Sequence, residues 1–230
     1  MSKTASSPEI GALRKRLARR FRTIESVVLV ADRPLSMLHP ASADELIDEA
    51  DFERDERLPY WADIWPSARV LASYIARLDG RGRSLLELGC GVGLVATAAA
   101  VAGFRVCATD YYEDALRFTE VNVAEHAGQA PETRLVDWRE LPTDLGRFDL
   151  VVGSDVLYER AYGGLVARAV DITLTRRGEA VIADPGRIAA EEFMRDASKR
   201  GLALVELDQV PYVDGAIRQT ISLYRLQRRV

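Results

Sequence analysis

Three glycines at positions 89, 91 and 93 constrain this chain more than any other feature in it. Leu85, Leu86, Glu87 and Leu88 read as the strand that leads into them. Residues 92–102 read as a helix of small side chains, and residues 104–109 as a second apolar strand that ends on Asp110. A strand, a glycine turn, a helix and a second strand closed by an acid is the layout of a nucleotide-type cofactor site. Glycine is needed where the backbone must come close to a ligand, because a Cβ would stand in its way. A dinucleotide fingerprint has the spacing G-x-G-x-x-G. Gly89 and Gly91 fit it, but the third glycine position holds Leu94, and Gly93 falls one residue early. Glu87 stands two residues before the first glycine, where it would repel a pyrophosphate and tolerate a ligand with a cationic end.

The spacing E-x-G-x-G-x-G followed by Asp110 resembles motif I of the seven-strand S-adenosylmethionine-dependent methyltransferases. The resemblance implies S-adenosyl-L-methionine as cofactor, with the glycines facing its methionine part and Asp110 taking both ribose hydroxyls. One carboxylate has the acceptor capacity for that task. The competing reading is the glycine turn of another doubly wound protein.

Composition narrows the partners. A net charge of −4 over 230 residues argues against a general binder of nucleic acid or membrane, which would show a basic surplus. No apolar run approaches the ~18 residues of a membrane span. The cysteines, Cys90 in the glycine loop and Cys107 in the second strand, suggest reduced thiols and a cytoplasmic protein rather than a disulfide framework. Two histidines far apart, His39 and His126, assemble no metal-ligand cluster, so no metal is expected.

The resemblance implies an N-terminal extension over residues 1–57 and a methyltransferase domain over residues 58–230. Residues 1–8 read as a small polar tail. In residues 9–22, Ile10, Leu13, Leu17 and Phe21 recur at helical spacing with five basic residues between them, a basic amphipathic helix. It could be a transit peptide, touch an acidic partner, or dock on the domain; the regular apolar stripe favours docking. A strand over 23–31, a turn at Asp32-Arg33-Pro34, a short partner strand over 35–38 and a helix over 42–51 capped by Ser42 and Glu45 follow. Residues 53–57 read as a charged loop. Trp61 and Trp65, bracketed by Pro59 and Pro66, serve either as a hydrophobic plug on the sheet or as a lid over the cofactor. Helices are expected over 67–78, 113–126, 162–174 and 187–200, and strands over 133–136, 148–153, 178–183, 202–207 and 217–224. Alternation of strand and helix implies a doubly wound α/β sheet, Rossmann-like and mostly parallel. The last two strands have no helix between them, so the final one should run antiparallel. Seven strands with a closing hairpin match the methyltransferase architecture rather than a six-parallel-strand dehydrogenase.

Ligands in such a sheet bind beyond the carboxyl ends of the strands. Those ends offer Gly89, Cys90 and Gly91; Asp110 and Tyr111; Asp137 and Trp138; Ser154, Asp155 and Tyr158; and the run from Asp184 to Arg187. Asp137 can accept from an adenine amine while Trp138 packs on the ring. The plain alternatives are a surface acid for Asp110, a core tryptophan for Trp138, a turn cap for Asp155 and packing for Tyr158. DNA-adenine and glutamine methyltransferases carry Asn/Asp-Pro-Pro-Tyr/Phe where this chain has Asp155-Val-Leu-Tyr158, and the missing prolines count against that substrate class. The sequence instead resembles the D-x-x-Y/F motif of the seven-strand protein-lysine methyltransferases. The stretches Pro-Tyr-Trp-Ala-x-x-Trp-Pro-Ser and Asp-Pro-Gly-Arg are similar to the branch that modifies the electron transfer flavoprotein β subunit. That resemblance covers residues 58–187. It implies that Trp65 contacts the cofactor, that Asp155 and Tyr158 line a substrate amine, and that the partner is a protein lysine. A small-molecule N-methyltransferase and a non-catalytic cofactor-binding partner protein are the rival readings.

Overall fold

The computed structural model describes residues 7–46 and 58–229. The helix expected over 42–51 lies partly outside these residues, and the polar tail and the charged loop over 53–57 almost entirely so. Helix α1 (Ser7–Arg20) leads into the antiparallel hairpin β1 (Thr23–Val30) and β2 (Arg33–Pro40). Two single 3-10 turns, Asp44–Leu46 and Tyr60–Ala62, precede α2 (Pro66–Ile75). The Rossmann-like part then runs β3 (Ser84–Leu88), α3 (Leu94–Val101), β4 (Arg105–Asp110), α4 (Glu113–Ala127), β5 (Glu132–Leu135), β6 (Phe148–Ser154), α5 (Tyr162–Thr173), β7 (Leu174–Asp184), α6 (Ala190–Lys199), β8 (Leu202–Asp214) and β9 (Ile217–Arg228).

The main sheet has seven strands in the order β5-β4-β3-β6-β7-β9-β8, and the β1–β2 hairpin forms a separate two-stranded sheet. β3 pairs in parallel with β4 on one side and β6 on the other, while β9 runs antiparallel to both β7 and β8. The expected α/β architecture with its antiparallel last strand is therefore the observed one.

Strand periodicity sorts the core into two layers. Leu85, Leu150, Val152 and Val181 point to one face, where α2, α3 and α4 pack together with Val28, Val30 and Met37 of the hairpin. Leu86, Leu88, Val151 and Ile182 point to the other, under α5 and α6. The apolar stripe of α1 is buried: Ile10, Leu13 and Leu17 pack with Phe118 and Val121 of α4. Its basic face is engaged as well, through Arg14 with Glu25 and Glu125 and Arg20 with Asp114.

Several boundaries differ from the sequence reading. β8 and β9 run on to Asp214 and Arg228: along outer β8, Val210 and Tyr212 turn inward against the core while Gln209, Pro211 and Val213 are exposed, and β9 continues through buried Leu226. Pro211 is tolerated there because β8 is an edge strand. β7 begins at Leu174 directly after α5, without the expected loop, and α6 starts only at Ala190. No helix among the described residues is long and apolar enough to cross a membrane.

Candidate active site

The strand order reverses at β3. The chain steps outward from β3 to β4 and β5, then returns to β6 on the other side. The crevice beyond the carboxyl ends of β3, β4 and β6 is the place such a sheet leaves for a ligand. A cavity of about 340 Å³ opens there. Trp65, Glu87, Gly89, Cys90, Gly91, Asp110, Tyr111, Asp137, Trp138, Ser154, Asp155 and Tyr158, the residues singled out in the sequence, all line it.

The glycine turn forms its floor. A Cβ on Gly91 would stand 3.0 Å from the Trp61 carbonyl oxygen, so this glycine lets the aromatic segment close down on the loop. Asp110 fastens the turn: one carboxylate oxygen accepts from the Gly91 amide at 2.9 Å and the other from the Tyr112 amide at 3.0 Å. Burial pushes this carboxyl up to about 6, against the pull of those backbone bonds. Glu87 is 1% exposed, and its Oε2 is buried with no hydrogen-bond partner among the described residues. Burial, with the nearby Asp110 charge, holds the Glu87 carboxyl well above the ordinary range. Cys90 is buried, and its thiol, pushed up by burial, accepts from the Thr119 hydroxyl at 3.3 Å. It is a packing thiol here, not a nucleophile.

Trp138 packs edge-on to Tyr162 at 5.4 Å, and Asp137 accepts from the Arg139 amide at 2.9 Å. Tyr111 meets Tyr112 edge-on at 5.3 Å. On the far wall, Asp155 adopts φ +56°, a left-handed backbone that a residue with a Cβ holds only where its surroundings fix it. They do so at three points. Its amide donates to the Ala183 carbonyl at 2.9 Å, Oδ2 accepts from the Ser67 hydroxyl at 3.2 Å, and Oδ1 accepts from Arg187 Nε at 2.6 Å.

The two tryptophans part ways. Trp61 turns inward and packs with Phe21, Tyr112 and Phe118. Trp65 stays at the mouth, its indole N–H donating to the Tyr60 carbonyl at 2.8 Å and the Arg187 guanidinium lying over its ring at 5.7 Å. Tyr60 stands edge-on to both Trp65 and Tyr158, and Tyr158 edge-on to Tyr162 at 5.0 Å. An acid thus sits among a ring of aromatic walls.

A family model described as lysine methyltransferase matches residues 49–199. The chain belongs to that lysine methyltransferase family. Among curated relatives it is similar to protein N-lysine methyltransferase METTL21A of Danio rerio, with 35% identity over 136 residues, 54% of this chain and 62% of the relative. It is also similar to the electron transfer flavoprotein beta subunit lysine methyltransferase of Danio rerio, with 33% identity over 153 residues, 65% of this chain and 58% of the relative. The matches span less than two thirds of either relative's own length. Of solved structures, magnesium protoporphyrin IX methyltransferase from Synechocystis PCC 6803 overlays with a TM-score of 0.57 at 16% identity, over 80% of this chain and 94% of that one. The ribosomal protein L11 methylase of Lactobacillus delbrueckii subsp. bulgaricus gives 0.54 at 20% identity, over 70% and 77% of the two chains. At such identities the structural likeness speaks to the fold alone.

Within this lysine methyltransferase family chain, Arg187 stands at the strand end the sequence offered, without a role assigned to it there, whereas Tyr60, Tyr162 and Ser67 line or support the site without having been singled out as site residues. Tyr60 and Ser67 carried a signal, since both lie in the stretch 59–67 already noted for its resemblance; the pairing of Ser67 with Asp155, 88 residues away, carried none.

Proposed function

We propose that this chain is a methyltransferase that uses S-adenosylmethionine to methylate the lysine side chain of a protein substrate. The observation that carries the reading is the partnerless Glu87 oxygen in the wall of the cavity. A buried polar atom without a partner costs about 1–3 kcal/mol. A ligand with a cationic end supplies the partner and returns the carboxyl to its charged form, whereas a pyrophosphate would be repelled. The other residues suit the same cofactor. Asp110, which accepts from backbone amides at Gly91, Tyr111 and Tyr112, has acceptor capacity left for the ribose hydroxyls. Asp137 and Trp138 can flank the adenine, and Gly89, Cys90, Gly91, Tyr111, Ser154 and Trp65 complete the enclosure.

When bound, the cofactor supplies a methyl group activated on a sulfonium. The chain's task is to deliver a neutral amine to it. A lysine ammonium has a reference pKa of about 10.4 and must shed its proton before its nitrogen can attack. Asp155 accepts a hydrogen bond from the amine and aims it. Tyr158, with Tyr60 and Tyr162, walls the apolar stem and strips water from it, which favours the neutral form. Fixing the amine in line supplies much of the rate.

The test is incubation with methyl-radiolabelled S-adenosylmethionine and a lysate of the source organism. A labelled protein band that disappears with Asp155→Ala supports the proposal. A labelled small metabolite, or no label at all, refutes it. The division into an extension over 1–57 and a catalytic domain over 58–230 belongs to the same proposal, supported by a hairpin that stands outside the main sheet. A cytoplasmic location is supported by two free, buried thiols.

A further inference from the structure

We infer that Arg187 is a positioning residue that keeps the substrate amine neutral at Asp155. The inference rests on the reading of Asp155 as the acceptor for that amine.

The geometry starts at the end of β7. Asp184 Oδ2 accepts from the amides of Gly186 at 2.7 Å and Arg187 at 2.8 Å. This tight turn sends the Arg187 side chain back across the end of β6. There its Nε meets Asp155 Oδ1 at 2.6 Å and its guanidinium lies over Trp65. The Asp155 side chain is 7% exposed and that of Arg187 37%, so the pair sits at the mouth of the cavity with the acid inward. Arg187 spends one N–H on one oxygen and Ser67 one O–H on the other. Each carboxylate oxygen therefore keeps a lone pair for a third donor.

A carboxylate beside an amine has two opposed effects. It orients the nitrogen, which helps, and it favours the ammonium, which has no lone pair and cannot attack. A bare Asp155 would work against the reaction it positions. A guanidinium on the same carboxylate offsets the second effect and leaves the first, and arginine keeps its charge at every relevant pH. The other groups around the pair do not supply that offset. Asp184 and Tyr60 face Arg187, and the Asp184 carboxyl is pushed up by burial and by the Asp155 charge. On the other side, Tyr158 feels Tyr162, Glu159 and Asp110, and burial pushes its hydroxyl up, so it stays neutral. Arg187 is the positive group among these. Without it, Asp155 with Asp184 behind would face the amine unopposed.

The test uses protein loaded with S-adenosylhomocysteine, so no transfer occurs, and Nα-acetyl-lysine methylamide carrying ¹³C at Cε. The Cε shift reports the protonation of the bound amine during a pH titration. The bound amine should titrate about one pH unit lower on the wild type than on Arg187→Gln or Arg187→Met, a tenfold difference in the neutral fraction. Arg187→Lys, which restores the charge, should return most of that unit. A merely structural arginine would not move this signal. Equal titration on wild type and both neutral variants overturns the inference while leaving the amine seat intact. No binding of the lysine probe, with S-adenosylhomocysteine still bound, overturns the seat and the inference together. Failure of S-adenosylhomocysteine to bind overturns both this inference and the proposed function.

Discussion

Replacing Gly93 with alanine isolates the part of the glycine turn that serves packing rather than ligand. Gly93 caps the N-terminus of α3 at φ +84°. A Cβ there would lie 2.6 Å from Thr119 Oγ1, 2.8 Å from its Cγ2 and 2.9 Å from its Cα on α4. The first two atoms could rotate aside; the third is backbone and can move only if two helices separate. A left-handed backbone costs a residue with a Cβ roughly 1–2 kcal/mol, and forcing extra volume into a packed interface costs about 1–3 kcal/mol more. Loss of glycine's freedom in the unfolded chain returns about 0.5 kcal/mol. The net expectation is a loss of about 3 kcal/mol, or roughly 6–12 °C in melting temperature for a chain of this size. Gly128→Ala is the internal control, since that residue sits at φ +80° with nothing within 4 Å of a new Cβ. It carries the backbone cost without the collision and should lose only about 1 kcal/mol. Thermal and urea unfolding of the two variants decide the matter. Thr119→Ala added to Gly93→Ala should recover part of the loss, but not the part set by the Thr119 Cα. Equal destabilisation by Gly93→Ala and Gly128→Ala would refute the idea that the third glycine exists to let α3 approach α4.

Four further outcomes follow from the same structure. Asp155→Ala should abolish methyl transfer while leaving S-adenosylhomocysteine affinity largely unchanged by calorimetry; retained turnover would remove Asp155 from its assigned role. Binding should weaken as pH falls through about 6, because protonation of Asp110 removes acceptor capacity needed for ribose hydroxyls, and Asp110→Asn should flatten that dependence in calorimetry at pH 5 and 7.5. The stability sign is the reverse. Burial pushes the folded carboxyl up to about 6, above its ordinary value of about 3.9, so the fold loses stability as pH rises through that window, and Asp110→Asn should be spared that loss in urea unfolding. Asn122→Leu should cost about 3 kcal/mol in urea unfolding, because the buried Asn122 amide bridges the Leu38 amide and the Leu38 and Val92 carbonyls at 2.8–2.9 Å, and all three would lose their partner.

What the sequence could show follows a physical line. The unit from Ser84 to Asp110 was legible because its signals are local: an apolar run, glycines at fixed spacing and an acid at a strand end. That the strand-end residues line one cavity was legible for the same reason, since a doubly wound sheet brings all such ends to one edge. Side-chain pairings were not. Ser67, Asp155 and Arg187 meet from three distant parts of the chain, and no spacing rule links them. Asn122 was not singled out in the sequence, yet it is fully buried and ties the N-terminal hairpin to the glycine loop. The outer half of β8 was hidden because only Val210 and Tyr212 pack inward there and Pro211 stands between them, a residue that reads as a strand breaker except on an edge.

The account depends on a cavity suited to a sulfonium cofactor, and a crystal structure of the chain grown with S-adenosylhomocysteine tests it most directly. The account predicts the ligand in the cavity, with its ribose hydroxyls on Asp110 and its amino end within reach of Glu87. A cavity filled by the chain's own side chains, or one that takes up a nicotinamide dinucleotide in preference, would contradict it.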